Sequence, residues 1–181
     1  MGKKLSEMTL EELWQLFPII LTDHNEHWAD WYAAEAARLS AFLPALTLSH
    51  VGSTAINGIA AKPIIDILAE TEMITPALIE KIKASGYILM SRGEERASFN
   101  RGYTEEGFAE RVYHLHLRKT GDHDEILFRD WLNTHPADAA AYEQLKLSLR
   151  KQYEHDRDGY TAAKAPFVKA IMGKIRGEQD A

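Results

Sequence analysis

The chain has 181 residues, of which 45% are hydrophobic and 27% are charged, a composition that supplies an ordinary buried core and excludes wholesale disorder. Lys and Arg number 21 against 27 Asp and Glu, and the net charge of -6 argues against non-specific binding to nucleic acid. The absence of cysteine excludes disulfide scaffolds and thiolate metal sites. The eight histidines are therefore the nitrogen ligands that a metal would use.

The length predicts a single domain over residues 1–181, and nothing in the sequence indicates export or membrane insertion. Residues 1–14 lack the apolar stretch of a secretory signal. No uninterrupted apolar run approaches the roughly 20 residues that cross a bilayer. We expect a cytoplasmic protein with no membrane partner.

The first half of the chain predicts two helices followed by strands. Thr9 and Glu12 form a capping box for a short helix that ends before Pro18. A second helix is predicted from Asn25 to Leu43, where aromatic and apolar residues recur at helical spacing. The elements that follow are a strand at 45–51, a turn with a short helix at 52–61, a strand at 64–70 and a helix at 75–86.

The second half begins with strands and then becomes helical. YILMS predicts a strand, the polar residues 92–110 predict a hairpin region, and RVYHLHLRK predicts a strand with strict alternation. Helices are predicted at 124–132, 137–155 and 162–176. The order of elements predicts an α/β (α+β) fold in which helices flank a mixed β-sheet and the C-terminal half is helical.

The most informative segment is HVGSTAINGIAAKPIIDILAE. Gly52 has no Cβ, so a ligand or a backbone segment can approach closely there. The backbone N–H groups of Ser53, Thr54 and Ala55 are suited to an anion at the start of a short helix. Lys62 follows as a counter-charge for phosphate. This pattern predicts an anion-binding turn.

Asp66 lies in the strand that follows this turn. Its neighbours Ile65 and Ile67 are apolar, so the carboxylate faces opposite to them. An acid in mid-strand beside an anion-binding turn is the arrangement needed to hold a divalent cation against phosphate oxygens.

His114 and His116 offer further metal ligands. Their spacing of two on a strand places both imidazoles on one face, with Cα atoms about 6.6 Å apart. Together with Asp66 on a neighbouring strand, and with His50, they make a site for a transition metal such as Zn²⁺ or Mn²⁺. The alternative is that the two histidines form a polar strand face with no ligand.

The Gly-Ser turn, the spacer and the in-strand Asp resemble the signature of the polymerase-β-type nucleotidyltransferase superfamily. More closely, the chain resembles the GrpB family of small bacterial proteins, over residues from about 28 to 171. The matching pieces are HVGSTAINGIAAKPIIDI, YHLHL, LFRDWLNTHP, AYEQLK and the Tyr160–Lys164 region. The resemblance implies a nucleotidyltransferase-like fold and a transferase site for a divalent metal and a nucleoside triphosphate. It implies no particular substrate.

The chain departs from active nucleotidyltransferases at one position. Those enzymes carry a second acid two residues after the first, whereas Leu68 stands there in this sequence. Glu70 faces the same way as Asp66 but lies about 13 Å further along a regular strand, too far for both to hold one ion. The usual two-metal arrangement is therefore not expected.

The leading hypothesis is metal-dependent nucleotidyl or phosphoryl transfer to a small molecule. Its catalytic residues would be Asp66, Ser53 and Lys62, and its phosphate-binding residues Gly52, Ser53, Thr54 and Lys62. Its metal, Mg²⁺, Mn²⁺ or Zn²⁺, would be held by Asp66, His114, His116 and His50. One alternative is a non-catalytic module that binds a nucleotide or metabolite. Another is a metal-dependent hydrolase that uses the His pair. Tyr160 and Lys164, one helical turn apart, would line the cleft from the helical half.

Overall fold

The computed structural model describes residues 3–179, and within this range the chain forms five β-strands and six α-helices. The strands are β1 (Thr47–Val51), β2 (Ile64–Thr71), β3 (Ile88–Arg92), β4 (Arg96–Thr104) and β5 (Gly107–Lys119). The helices are α1 (Leu10–Leu16), α2 (His27–Phe42), α3 (Pro76–Ala84), α4 (Asp124–Thr134), α5 (Pro136–Tyr153) and α6 (Arg157–Gln179). No helix in the described part of the chain is long and apolar enough to span a bilayer.

The strands form one mixed sheet in the order β1-β2-β5-β4-β3. β2 and β5 are parallel at its centre, and the other neighbours are antiparallel. The helical C-terminal half follows β5. These observations confirm the predicted mixed α+β architecture.

Each face of the sheet has its own apolar layer. On one face, α2 and α3 pack against alternate residues of the central strands, among them Ile65, Ile67 and Leu115. The other layer joins α4, α5 and α6 to the loop between β1 and β2, through Ile56 and Ile59. Asp66 and the residues in register with it project toward this second, helical side, because side chains alternate along a strand.

The helix ends follow the chemistry of their sequences. Thr9 Oγ1 accepts a hydrogen bond from the N–H of Glu12 at 3.2 Å, as the capping box predicts. Thr75 caps α3 in the same way, by accepting from the N–H of Leu78 at 3.1 Å. Gly86 follows α3 with φ 98°, the left-handed conformation that commonly ends a helix.

Two elements differ from the sequence prediction. The polar hairpin region contains the nine-residue strand β4, whose Phe99 is fully buried, and β5 begins at Gly107. On the face of the sheet to which Asp66 belongs, β4 carries polar residues, so the alternation of apolar and polar residues along this strand is hard to see in the sequence. The last helix begins at Arg157 rather than at Ala162, because Asp156 accepts from the N–H of Gly159 at 2.8 Å and stabilises an earlier start.

Candidate functional site

Asp66 lies in β2 with two histidines of β5 beside its carboxylate. Asp66 is in register with His114, and His116 lies two residues further along, so the three side chains share one sheet face. Asp66 Oδ1 lies 2.9 Å from His116 Nε2 and 3.3 Å from His114 Nδ1. Each residue offers one ligand atom, and all three atoms lie within 4.8 Å of one another. We refer to Asp66, His114 and His116 as the ligand cluster.

The ligand cluster has the size and access that a transition metal needs. Bonds of about 2.1 Å to a tetrahedral ion place ligand atoms about 3.4 Å apart, so small side-chain movements would suffice. The three side chains are 12% to 26% exposed, which leaves a path for an ion from solvent. One carboxylate with two imidazoles is a donor set that suits Zn²⁺ or Mn²⁺ better than Mg²⁺, which prefers oxygen.

The ionisation states within the cluster also suit a metal. Burial raises the pKa of Asp66, but hydrogen bonds from His114 and His116 outweigh burial and hold that pKa well below its usual range. Burial lowers the pKa of His114, although Asp66 opposes this shift. Metal ligation needs an ionised carboxylate and a neutral imidazole. Tyr103 Oη lies 2.8 Å from His114 Nε2 and thereby holds the ring from its other side.

Gly52 brings the turn after β1 directly against Asp66. Its φ is 73°, and a Cβ at this position would collide with Asp66 Oδ2. The close approach that Gly52 permits is thus made by the Asp66 carboxylate. The N–H of Ala55 donates to the carbonyl of Gly52 at 3.1 Å, so Ala55 does not contribute to the anion cradle predicted from three amides.

Thr54 and His50 belong to the support of the turn. The Thr54 hydroxyl donates to the carbonyl of Ile64 at 3.3 Å and lies 3.0 Å from His50 Nε2. His50 is in register with Ile67, so it faces away from Asp66, and its ring stacks on Tyr32 with centroids 4.8 Å apart. Burial lowers the pKa of His50 to about 4. The structure therefore does not bring His50 into the ligand cluster.

Lys62 precedes β2 and lies near two cations of α6. Lys62 Nζ is 5.8 Å and Lys164 Nζ 4.5 Å from the centre of the buried Tyr160 ring. Burial first, and then the charges of Arg157 and Lys164, lower the pKa of Lys62 to about 8, while Asp66 opposes this shift. Burial lowers the pKa of Lys164 in the same way. Lys62 and Lys164 therefore lie over the same ring, and the charges of Arg157 and Asp66 act on the pKa of Lys62 in opposite directions.

Side chains of α4 hold the backbone of β1 near its end and of the loop that follows it. Arg129 donates to the carbonyl of His50 at 2.7 Å. Asn133 donates to the carbonyl of Ala55 at 3.0 Å and accepts from the N–H of Asn57 at 2.9 Å. These residues come from the LFRDWLNTHP segment, which thereby fixes the turn beside Asp66.

A second group of contacts holds the same loop nearer to Lys62. Glu143 accepts from the N–H of Ala60, and the buried Lys146 donates to the carbonyl of Ala60. Lys146 Nζ also lies 4.8 Å from the Tyr142 ring centre, and burial lowers the pKa of Lys146 to about 7. These residues come from the AYEQLK segment. Both helical segments thus act as supports for the loop.

The sequence predicts the grouping of Asp66, His114 and His116 that the structure shows, but it does not indicate Tyr103 or Arg157. Tyr103 lies in β4, within the segment that the sequence predicts as a polar hairpin region. Arg157 lies between two of the predicted helices. Its guanidinium carbon is 6.0 Å from the centre of the Tyr103 ring. Recognising β4 would have placed Tyr103 beside β5, whereas no local pattern indicates the position of Arg157.

Residues 18–174 match the GrpB protein family, and the chain belongs to that family. It is 37% identical over 158 residues to the UPF0157 protein PA4798 of Pseudomonas aeruginosa, covering 81% of this chain and 63% of that protein. It is 34% identical to the UPF0157 protein YqkA of Bacillus subtilis, covering 92% of this chain but only 50% of that protein. The glutamate-rich protein GrpB of Alkalihalophilus pseudofirmus is 32% identical, with 87% of this chain and 95% of that protein covered. The chain thus spans only part of some relatives.

Solved structures support the same grouping. The crystal structure of the conserved protein GrpB from Enterococcus faecalis is 28% identical, with a TM-score of 0.75 that covers 90% of this chain and 100% of that one. A weaker likeness, to the Cid1 poly(U) polymerase, has 14% identity and a TM-score of 0.49 over 78% of this chain and 45% of that one. A likeness at that level carries no argument about function.

Proposed function

We propose that the chain carries out metal-dependent nucleotidyl or phosphoryl transfer to a small molecule. The observation that carries this proposal is the convergence of Asp66, His114 and His116 beside the Gly52–Ser53 turn. A divalent metal would be held by the ligand cluster, and when bound it would neutralise charge on phosphate oxygens. Nucleotide and metal are both part of the proposal.

The residues of the chain would position the phosphates and offset their charge. Ser53 and the backbone of the turn would border the phosphate nearest the ligand cluster, and Lys62 would offset the charge that develops on the leaving group. In nucleotidyl transfer, the acceptor oxygen forms a new bond to the α-phosphorus. Pyrophosphate then leaves with the electron pair of the bond that breaks, and the acceptor proton passes to water.

A second candidate is a non-catalytic module that binds the same ligand. Leu68, where active nucleotidyltransferases have a second acid, is fully buried and in register with His116. A buried leucine supplies no further ligand for a second ion. This candidate predicts binding of nucleotide without turnover.

Calorimetric titration of Mn²⁺ and of Zn²⁺ into the metal-free protein tests the ligand cluster. We expect one equivalent to bind, and His116→Gln to weaken binding by at least about 100-fold because one ligand is lost. His27→Gln is the matched control, since His27 is 74% exposed and lies outside the cluster. Wild-type protein that binds neither ion, or equal affinity in His116→Gln, would contradict the proposed metal site.

Nucleotide binding and turnover are then measured with the metal-loaded protein. We expect nucleoside triphosphates to bind, and Asp66→Asn to abolish the metal-dependent part of that binding. Pyrophosphate released only when an acceptor is present indicates nucleotidyl transfer, and nucleoside diphosphate released only when an acceptor is present indicates phosphoryl transfer. Release of either product without an acceptor indicates a hydrolase, and binding without release of either indicates the module. If none of the four common nucleoside triphosphates binds, the protein is neither a transferase, a hydrolase nor a binding module for these nucleotides.

A further inference from the structure

Two lysines lie over the Tyr160 ring, and an arginine of the same helix as Tyr160 lies over the Tyr103 ring. Lys62 comes from the loop before β2, and Arg157 and Lys164 come from α6. The ammonium groups of Lys62 and Lys164 both lie within 6 Å of the centre of the Tyr160 ring, at 5.8 and 4.5 Å. We refer to Lys62, Arg157 and Lys164 as the cationic pocket.

The cationic side chains of the pocket have no carboxylate in salt-bridge contact, and Asp66 only opposes the lowering of the pKa of Lys62 and of Lys164. Among the side chains of residues 3–177, no carboxylate forms a salt bridge with Lys62, Arg157 or Lys164. All three are partly buried, and burial of an unpaired cation is costly. The cost shows in the lowered pKa of Lys62 and of Lys164, each caused first by burial. Binding of an anion would therefore reduce the electrostatic cost of these charges and stabilise the folded protein.

The cationic pocket extends toward the ligand cluster. Lys164 lies over Tyr160, whereas the Arg157 guanidinium carbon lies 6.0 Å from the Tyr103 ring centre. Tyr103 in turn contacts His114 of the cluster at 2.8 Å. The cations are therefore divided between two rings, with Lys62 and Lys164 over Tyr160 and Arg157 over Tyr103, which contacts the ligand cluster. An anion with several charged groups can reach both places.

We propose that the cationic pocket binds a linear polyphosphate of at least three phosphate groups, and that this binding does not need a metal. Three cations match the three or more negative charges of such a chain, and Lys and Arg are the usual donors to phosphate oxygens. The proposal rests on the proposed function only in placing the reactive phosphate at the ligand cluster. The charge match itself does not depend on a metal.

Calorimetry in EDTA at about 0.15 M salt tests the inference with inorganic tripolyphosphate, pyrophosphate and orthophosphate. We expect tripolyphosphate to bind at least about tenfold more tightly than pyrophosphate, and orthophosphate more weakly still. Lys164→Met should weaken tripolyphosphate binding by about 10- to 100-fold, as expected for a charge-assisted contact of about 1.5–3 kcal/mol. Arg157→Gln should weaken it similarly and serves as a second variant.

Matched variants separate the pocket from general charge effects. Lys169→Met removes an exposed lysine of the same helix and should leave binding unchanged. The metal titration is made without phosphate and the tripolyphosphate titration in EDTA, so failure of the metal site and failure of the cationic pocket give different results. Circular dichroism checks that each variant is folded. The inference is overturned if tripolyphosphate does not bind without metal, or if Lys169→Met and Lys164→Met weaken binding equally.

Two ligand sources share this chemistry, and a further arm distinguishes them. If adenosine triphosphate binds more tightly than tripolyphosphate in EDTA, the polyphosphate is the tail of a nucleotide. If tripolyphosphate binds as tightly or more tightly, free polyphosphate is the ligand. Single-stranded oligonucleotide is the third probe, and if it binds more tightly than both, a nucleic acid backbone is the ligand and the inference is wrong.

Discussion

The two faces of the sheet treat buried charge in opposite ways. On the face covered by α2, the Glu35 carboxylate is only 4% exposed, and Arg38 donates to it at 2.6 and 3.0 Å. Arg101 donates to the same carboxylate at 2.6 Å, and Tyr87 at 2.9 Å. On the cleft face, Lys62 and its two neighbours have no carboxylate partner within the described part of the chain. We call the first the closed face, because the partners of its buried charge come from the chain. We call the second the open face, because its cations form no salt bridge there.

The paired charges of the first face stabilise the folded protein, whereas the unpaired cations of the second face favour the binding of a ligand. A buried charge whose partners all come from the chain contributes to the folded state, and removing one member leaves the others unpaired. A cluster of like charges without partners opposes folding and is satisfied only by something from outside. The comparison therefore predicts effects of opposite sign when charges are removed from the two faces.

The largest effect is expected on the closed face. Glu35→Ala leaves Arg38 and Arg101 without their shared carboxylate, and we expect a loss of about 3–5 kcal/mol in the free energy of unfolding, measured with urea. Glu80→Ala removes an exposed carboxylate paired with Lys83 at 2.8 Å and should cost less than about 0.5 kcal/mol. If both variants lose the same stability, the Glu35 network is no more than a surface pair.

An effect of the opposite sign is expected on the open face. Lys62→Met removes a cation whose pKa burial lowers to about 8 from 10.5. Because the folded state holds this proton less tightly than the unfolded state, the charged lysine costs stability below pH 8, and the cost disappears above pH 10.5. We expect Lys62→Met to gain about 1–3 kcal/mol at pH 7 and to lose that gain near pH 10.5. A loss of stability at pH 7 would show that Lys62 has a structural partner.

The smallest effect concerns His50, on the closed face. Its pKa falls to about 4 from 6.5 because burial disfavours the charged ring. The unfolded state then binds the proton more tightly, so stability is lost as the pH falls from 6.5 towards 4. We expect the wild type to lose about 1–2 kcal/mol more than His50→Gln over this range, after allowing for the exposed part of the ring. Urea unfolding series at several pH values measure the difference, and parallel curves for the two proteins would refute it.

Strands and helices whose apolar residues recur at regular spacing were predictable from the sequence. β5 shows strict alternation, and α2 repeats its apolar residues at helical spacing, so both were placed. β4 was not recognised, because Arg96, Ser98 and Asn100 occupy one of its faces while Ala97 and Phe99 enter the core on the other. Two apolar core residues are too few to predict a strand when the residues between them are polar and face the cleft.

The candidate site was predictable only where one strand defines it. His114 and His116 share a face because of their spacing, and the mid-strand position of Asp66 indicated a site. The position of His50 on the other face depends on the register between β1 and β2, which sequence spacing does not give. Arg157 and Lys146 reach the cleft through helix packing, a long-range property that no local pattern reports.

The supports of the loop between β1 and β2 have a consequence for redesign of this protein. Asn133, Glu143 and Lys146 all contact main-chain atoms of the loop, and every residue type offers a main-chain carbonyl. Solvent-facing side chains of the loop, such as Asn57, can therefore be exchanged while its anchoring is preserved. The helices α4 and α5 therefore support the loop independently of its side chains. Variants of the loop with new ligand preferences can be built without changing these helices.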